Sequence, residues 1–301
     1  VRFGRVASGL GRRLANPELS AWQGWMRNIR SRRHTGSPFI MGVLNVTPDS
    51  FSDGGDFIDL EAAVARGLEM VANGADVIDI GGESTRPGAA PVDAAEELRR
   101  VIPVIKALRE QTAARISIDT CKPDVARAAV AAGADIWNDV MALREEGAVA
   151  AAAELGVPVI LMHMAGTPTT MQQAPRYADV VSEVCEFLTD RADIAMAGGV
   201  AADSIWLDPG IGFGKSLDHN LALMRDLDQV ISLGYPVLFG ASRKRFIAAI
   251  DEGAAETERL GGSLAAALRA AQAGVAMVRV HDIRMTLQAL KVQAAIREGR
   301  A

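Results

Sequence analysis

The stretch RISIDTCKPDVARAAVAAGADIWND, residues 115–139, decides the fold because it contains one complete strand–helix–strand unit. Its first apolar run ends at Asp119, and Pro123 then suits the first turn of a helix. Gly133 follows the helical pattern, where glycine tolerates the left-handed conformation that ends helices. A second apolar run ends at Asn138. Neither run shows the polar alternation of a half-exposed strand, which is typical of parallel strands covered on both faces.

The same unit repeats along the chain. Eight apolar runs each end in a residue able to do chemistry: Asn45, Glu83, Asp119, Asn138, His163, Asp208, Ser242 and His281. Helical patterns cover residues 60–73, 93–111, 123–132, 145–155, 177–197, 219–231, 257–273 and 285–298. The repeat predicts an α/β fold of the (β/α)₈ TIM-barrel type, with those eight residues around the rim where such barrels carry catalytic groups. An open doubly wound sheet is the alternative, but no GxGxxG follows the first strand.

Length and charge suggest one domain and an appendage. A chain of 301 residues suits a single barrel over residues 38–301, preceded by a basic N-terminal extension over residues 1–37 that we expect to be disordered or peripheral. The extension has eight Arg against Glu18 alone, a balance of +7 that leaves −12 for the barrel. An acidic body argues against nucleic-acid binding, so a substrate anion would need a local basic pocket.

Composition excludes several other classes of protein. No stretch approaches the ~18 consecutive apolar residues of a membrane-spanning helix. Cys121 and Cys185 are far apart, with no CxxC and no Cys/His cluster, which argues against a disulfide framework or a zinc site. Two such cysteines fit a reducing compartment, and we expect a cytoplasmic location.

Two of the segments at the predicted rim suit an anionic or reactive ligand. Residues 45–55, NVTPDSFSDGG, form a long loop, which is either a simple mobile cover or a lid whose Phe51 shields a reactive intermediate from water. Residues 79–88, DIGGESTRPG, offer the hydroxyl of Thr85 and the cationic fork of Arg86. A structural turn remains the alternative for that second segment.

Cations and glycines mark the last three strand ends. Residues 240–246, GASRKRF, place three adjacent cations at a strand-to-helix turn. Arg279 and His281 lie two apart on one strand, so their side chains share a face and would form an anion clamp. Residues 208–216, DPGIGFGKS, are not a phosphate-binding loop, because Pro209 stands where that motif needs glycine. The glycines still permit a turn against a flat ligand.

Seven strings together resemble the dihydropteroate synthase family, in family order and over residues 38–298. They are LNVTPDSFSDGG (44–55), DIGGESTRPG (79–88), SIDT (117–120), NDV (138–140), LDPGIGFGK (207–215), SRK (242–244) and RVHD (279–282). The resemblance implies a (β/α)₈ transferase of folate biosynthesis that joins 7,8-dihydropterin-6-ylmethyl diphosphate to 4-aminobenzoate and releases diphosphate. It also implies a target for sulfonamide analogues of 4-aminobenzoate.

The resemblance further implies a role for each matching position. The expected pterin-binding residues are Asp119, Asn138, Asp208, Phe213, Gly240 and Lys244. The expected diphosphate-binding residues are Asn45, Thr85, Arg86, Arg279 and His281. The expected aminobenzoate-binding residues are Phe51, Pro87, Phe213, Ser242, Lys244 and Arg245. The expected catalytic residues are Asp119, Lys244, Arg279 and His281. Mg²⁺ is expected on the diphosphate with Asn45 as its protein ligand, and a homodimer is expected through outer helices.

Two other functions remain open from the sequence. A pterin methyltransferase acting on methyltetrahydrofolate would share the acids and the amide at the pterin edge. It needs no diphosphate clamp, however, so Arg279 and His281 would be unexplained. A pterin-binding paralogue without catalysis is the second alternative, and the filled reactive positions argue against it.

Overall fold

The computed structural model describes residues 37–47, 56–84, 90–167, 171 and 175–299, with residues 56–59 as backbone. Eight parallel strands are paired in the order β6-β5-β4-β3-β2-β1-β8-β7. A parallel bridge between Leu207 and Val237 joins the two ends of this order, so the sheet closes and the predicted barrel is confirmed over the open alternative. The strands are β1 Phe39–Asn45, β2 Val77–Gly81, β3 Arg115–Asp119, β4 Ile136–Asp139, β5 Val159–Met162, β6 Ile205–Asp208, β7 Leu238–Phe239 and β8 Met277–Val280.

Helices follow every strand. They are α1 Asp56–Ala72, α2 Ala94–Gln111, α3 Pro123–Ala131, α4 Ala148–Leu155, α5 Val180–Ala197, α6 Leu217–Arg225, α7 Leu227–Ser232, α8 Arg245–Ile250, α9 Leu260–Ala273 and α10 Ile283–Glu298. The single helix predicted for residues 219–231 is wrong, because Asp226 leaves helical geometry with φ −105° and ψ 30° and separates α6 from α7. The short α8 begins at the predicted strand-to-helix turn, but its extent was not among the predicted helical segments. Five predicted helix-ending glycines are confirmed, with φ between +63° and +115°: Gly74, Gly133, Gly156, Gly234 and Gly274.

The barrel interior changes from apolar to polar along the strands. Its lower part is a buried cluster of Phe39, Met41, Val77, Ile136, Ile160, Trp206, Leu238, Ala276 and Met277. Side chains alternate between the two faces of a strand, so the residue two positions later faces the interior again. Val77 is thus followed by Asp79, and Met277 by Arg279. The apolar plug closes one end, and the same strand faces carry the polar groups at the other.

Within the described ranges, no helix combines the length and the apolar character needed to cross a membrane. The predicted extension over residues 1–37 lies outside the described part of the chain except for its last residue, so its boundary stays a prediction.

Candidate active site

An arginine on β8 bridges two acids across the barrel mouth. Arg279 donates from Nε to Asp79 Oδ2 at 2.6 Å and from Nη2 to Asp119 Oδ2 at 2.7 Å. Asp79 is fully buried, and Asp119 is 8% exposed. The planar guanidinium presents its N–H groups in a fixed fork, so two separate carboxylates hold it in one orientation. Arg279 is therefore positioned before any ligand arrives.

Asp79 is a site residue that sequence reasoning missed. Its Oδ2 also accepts a hydrogen bond from Asn138 Nδ2 at 3.1 Å. An ionised carboxylate can only accept, so Asn138 must turn its NH₂ group toward Asp79. This contact fixes the orientation of the Asn138 carbonyl. The signal in the sequence was a lone acid inside the apolar run VIDIG, at a position facing the interior.

The electrostatics of Asp119 point to a ligand. Burial raises the pKa of Asp119 to about 7; Arg279 acts in the opposite direction, and the nearby Asp79 adds to the rise. Among the described residues, Oδ1 of Asp119 and Oδ1 of Asp79 are buried without a hydrogen-bond partner. Buried polar atoms are rarely left unsatisfied, because desolvation without a partner is costly. A ligand with N–H groups or positive charge would supply what they lack.

Asp208 and Lys244 form an oppositely charged pair in the same mouth. Asp208 Oδ1 accepts from the Gly210 N–H at 2.7 Å, and burial raises the pKa of this carboxyl against the attraction of Lys244. Burial lowers the pKa of Lys244 to about 8, while Asp208 opposes the change. Lys244 Nζ donates to the Ile211 carbonyl and lies 4.4 Å from the centre of the Phe213 ring. Arg279 acts electrostatically on both members of the pair, so the three charged groups lie near enough to influence one another.

The three adjacent cations after β7 diverge. Arg243 has a left-handed φ of +58°, and its guanidinium pairs with Asp282. Arg245 is exposed at the start of α8. Of these three cations, Lys244 alone acts on Asp208, so neighbours in sequence do not share one pocket here. The sharp backbone turn at Arg243 separates side chains that are neighbours in sequence.

Ser242 and His281 contact each other. His281 Nδ1 lies 3.0 Å from Ser242 Oγ, and the His281 backbone N–H donates to the same oxygen at 3.2 Å. This pair joins the end of β8 to the end of β7. The sequence assigned the two residues to different subsites, and the structure places the two side chains in contact.

A gap above Gly81 suits a hard cation. Asn45 is aligned with Gly81, and Gly81 with Asp119, on three adjacent strands. A Cβ added to Gly81 would lie 3.8 Å from Asn45 Oδ1 and 3.7 Å from Asp119 Oδ2, so the bare glycine leaves space between two oxygen donors. Within the described ranges, no three His, Cys, Asp or Glu side chains form a metal cluster. One or two protein oxygens completed by water and phosphate are what Mg²⁺ commonly uses, so the residues present fit that ion.

Methionines form an apolar wall beside these charges. The buried cluster comprises Val140, Met141, Met162, Met164 and Met171, with Cys121 and Phe213 packed against it. Polarisable thioethers pack well against aromatic rings, so this wall suits the face of a flat heterocycle. Gly240 is buried beside Arg279, and a Cβ there would meet Arg279 Cβ at 3.6 Å. The bare backbone at Gly240 therefore widens the site.

Some predicted rim residues have structural roles. Glu83 accepts from the Val92 N–H at 3.1 Å and pairs with Lys122, which also donates to Glu97 at 2.6 Å. Glu83 thus holds the two ends of the loop that contains Thr85, Arg86 and Pro87. Those three residues and Phe51 lie outside the described residues, so their predicted roles remain predictions.

Comparison with known proteins identifies this barrel. A family model described as pterin binding enzyme matches residues 41–281. The dihydropteroate synthase of Escherichia coli is 48% identical over 258 residues, which cover 86% of this chain and 91% of that relative. A Xanthomonas albilineans dihydropteroate synthase structure with 4-aminobenzoic acid has a TM-score of 0.83 and 52% identity, covering 87% of this chain and 94% of that one. Another from the same organism, in complex with 7,8-dihydropteroate, has a TM-score of 0.80 and 49% identity, covering 87% and 95%.

Fold and site first define the class: a pterin-binding (β/α)₈ enzyme with an acid, an amide and cations at the mouth of the barrel. The identity and coverage of these relatives then settle the family, and the chain belongs to the dihydropteroate synthases. Its activity is that of a transferase of folate biosynthesis. This assignment favours the diphosphate-releasing reaction over the methyltransferase alternative.

Proposed function

We propose that the described mouth residues bind the dihydropterin diphosphate and promote its substitution by 4-aminobenzoate. The observation that carries this proposal is the Arg279 fork, held by Asp79 and Asp119 in the same mouth as the oppositely charged Asp208 and Lys244. The polar edge of the pterin needs an acid and a neutral amide to bind it, and the diphosphate needs cations. Both sets are present and adjacent.

The pterin ring would be recognised through its polar edge. Its exocyclic amine and neighbouring ring N–H are both donors, which the buried Asp208 carboxylate can accept. Lys244 would donate to the ring carbonyl, and Asn138, already oriented by Asp79, would accept from or donate to the remaining ring nitrogens. The methionine wall and Phe213 would pack against the face of the ring.

Bond breaking would be dissociative. As the C–O bond to the diphosphate weakens, positive charge spreads over the pterin, and ionised Asp119 stabilises it in a site with little water. Arg279 uses two of its five N–H groups on Asp79 and Asp119 within the described residues, and we assign the others to the leaving diphosphate. His281 would join this clamp, as would Thr85 and Arg86. The arylamine then attacks the methylene carbon, and no protein nucleophile is required.

The remaining assignments are also proposals. Mg²⁺ would be held by Asn45, with Asp119 across the gap above Gly81, and would neutralise charge on the diphosphate. The aminobenzoate ring would lie near Phe51, Pro87 and Phe213, and its carboxylate near Ser242, Lys244 and Arg245. Relatives that bind 4-aminobenzoic acid and 7,8-dihydropteroate support small-molecule substrates of this type.

Assembly and location are proposed from surface features. Met285, Val292 and Ile296 are 47%, 54% and 77% exposed and recur at helical spacing along α10. An exposed apolar stripe on an outer helix supports the expected homodimer. Cys121 and Cys185 are both unpaired, which supports the proposed cytoplasmic location.

The direct test of the activity is an assay of the purified chain with the pterin diphosphate, 4-aminobenzoate and Mg²⁺. Diphosphate release should require both substrates and should match pteroate formation one to one. Tight pterin binding without diphosphate release would leave only the silent pterin-binding alternative.

Asp119→Asn should lower kcat more than it weakens pterin binding. The amide keeps the size of the side chain but removes the charge that stabilises the developing cation, so kcat should fall by about 10²–10³-fold, a typical loss for one electrostatic group. The dissociation constant of a pterin should change by less than about tenfold, since ring recognition is assigned to Asp208 and Lys244. Stopped assays and calorimetry measure the two quantities, and equal losses in both would contradict the role given to Asp119.

A further inference from the structure

A buried lysine that is not among the proposed ligand contacts forms hydrogen bonds with the glycine loop, the segment of residues 208–216 that follows β6. Lys215 is 4% exposed. Its Nζ lies 2.9 Å from the Gly210 carbonyl oxygen, 3.0 Å from that of Phe213 and 3.3 Å from that of His163. It also lies 2.8 Å from His163 Nδ1. One side chain therefore connects two positions of the glycine loop, Gly210 and Phe213, to the residue just after β5.

His163 is suited to this contact because it stays neutral. Burial, together with the charge of the neighbouring Lys215, lowers the pKa of His163 to about 3. A neutral imidazole can accept a hydrogen bond at Nδ1. The ring also packs edge-on against Phe187, with 4.9 Å between ring centres. His163, left undecided by the sequence, is thus part of a fixed support.

The glycine loop lies in close contact with the His163 backbone at Gly210. Gly210 has φ +66°, and a Cβ there would lie 1.9 Å from the His163 carbonyl oxygen. From the other side, Asn220 Oδ1 accepts from the Gly212 N–H at 2.6 Å. Ile211 lies between these two fixed points, and its carbonyl accepts from Lys244.

We propose that Lys215 is a positioning residue for the pterin site, which holds the glycine loop so that the Ile211 carbonyl and the Phe213 ring keep Lys244 in place. The inference rests on the proposed function, because it takes Lys244 as a pterin contact. Lys215 itself touches no reacting atom. Lys215 also acts electrostatically on Asp208, so the test must separate an effect that passes through Lys244 from one that passes through Asp208.

A double-mutant cycle on pterin affinity tests this proposal. The probe is 6-hydroxymethylpterin, which has the ring without the diphosphate, titrated by calorimetry into the wild type, Lys215→Met, Lys244→Met and the double variant. Removing Lys244 should weaken binding roughly tenfold to hundredfold, the loss of a hydrogen bond from a charged group. Lys215→Met should weaken it by about tenfold, and the double variant should bind no worse than Lys244→Met, because residues acting as one unit are not additive.

Several outcomes would overturn the inference. Unchanged affinity in Lys215→Met, or losses that multiply in the double variant, would show that Lys215 does not act through Lys244. Unchanged affinity in Lys244→Met would remove the pterin role of Lys244 and the inference with it. A merely structural role would lower the fraction of binding-competent protein without changing the dissociation constant, and calorimetry separates the two. Lys106→Met, an exposed change on α2, is the control. If Lys215→Met does not fold, Asn220→Ala loosens the same loop and should give the same pattern.

Discussion

Arg279→Met should abolish most of the activity and destabilise the barrel. The change leaves Asp79 and Asp119 facing each other with their shared cation removed, one fully buried and the other nearly so. Breaking a buried pair by removing one partner costs about 3–5 kcal/mol. The loss of unfolding free energy should be largest above about pH 7, where Asp119 is ionised, and should shrink as pH falls and Asp119 takes up a proton. Because the diphosphate clamp is also lost, kcat should fall by at least about 10³-fold.

Two variants control this experiment. Arg279→Lys keeps a positive charge but lacks the fork that reaches two carboxylates, so it should recover part of the stability and little of the activity. Arg297→Met, an exposed change on α10, should alter neither. Urea unfolding at pH 5 and pH 8 together with the diphosphate assay measures both effects. A variant as stable and as active as the wild type at pH 8 would show that Arg279 does not hold the two acids in solution.

Asp208→Asn should remove most of the pterin affinity with little loss of stability. The amide oxygen can still accept a hydrogen bond from the Gly210 N–H. The variant, however, no longer offers two charged oxygens to two N–H groups of the ligand. Losing two charge-assisted bonds should weaken pterin binding by about 10²–10³-fold. The loss of stability should be small, because the variant removes the cost of burying a carboxylate, and Lys244, whose pKa burial already lowers to about 8, can release its proton once its partner is gone.

The matched control for this variant is Asp203→Asn, an exposed change in the turn just before β6. Calorimetry gives the affinity, and thermal unfolding reports stability. Unchanged pterin affinity in Asp208→Asn would reject the assignment of Asp208 to the pterin edge.

Periodicity in the sequence was sufficient to predict the barrel. Each apolar run corresponds to a strand, because strands that are buried on both faces consist almost entirely of apolar residues. The bounds of the helices were predicted less accurately than the strands. The break at Asp226 and the six-residue α8 depend on local backbone geometry, which an apolar pattern does not encode.

The sequence predicted that the candidate site residues converge, but it did not predict the residues that support them. Asp119, Asn138, Asp208, Lys244 and Arg279 stand at the ends of strands or just beyond them, so parallel topology alone brings them together. Asp79 and Lys215 act through contacts between nearby strand ends, with Arg279 and with the end of β5, and these contacts join residues far apart in sequence. Conversely, Arg243 is next to Lys244 in the sequence, but its side chain does not lie in the same pocket. The left-handed backbone at Arg243 directs its side chain to Asp282 instead.

A crystal structure of the chain with a bound pterin would show directly whether Asp208 and Lys244 hold the polar edge of the ring. The exocyclic amine and the adjacent ring N–H should lie within ~3 Å of the Asp208 carboxylate, and the ring carbonyl at a similar distance from Lys244 Nζ. The 6-substituent should point toward Arg279. A ring bound with its polar edge away from Asp208, or with its 6-substituent on the far side from Arg279, would contradict the proposed binding mode.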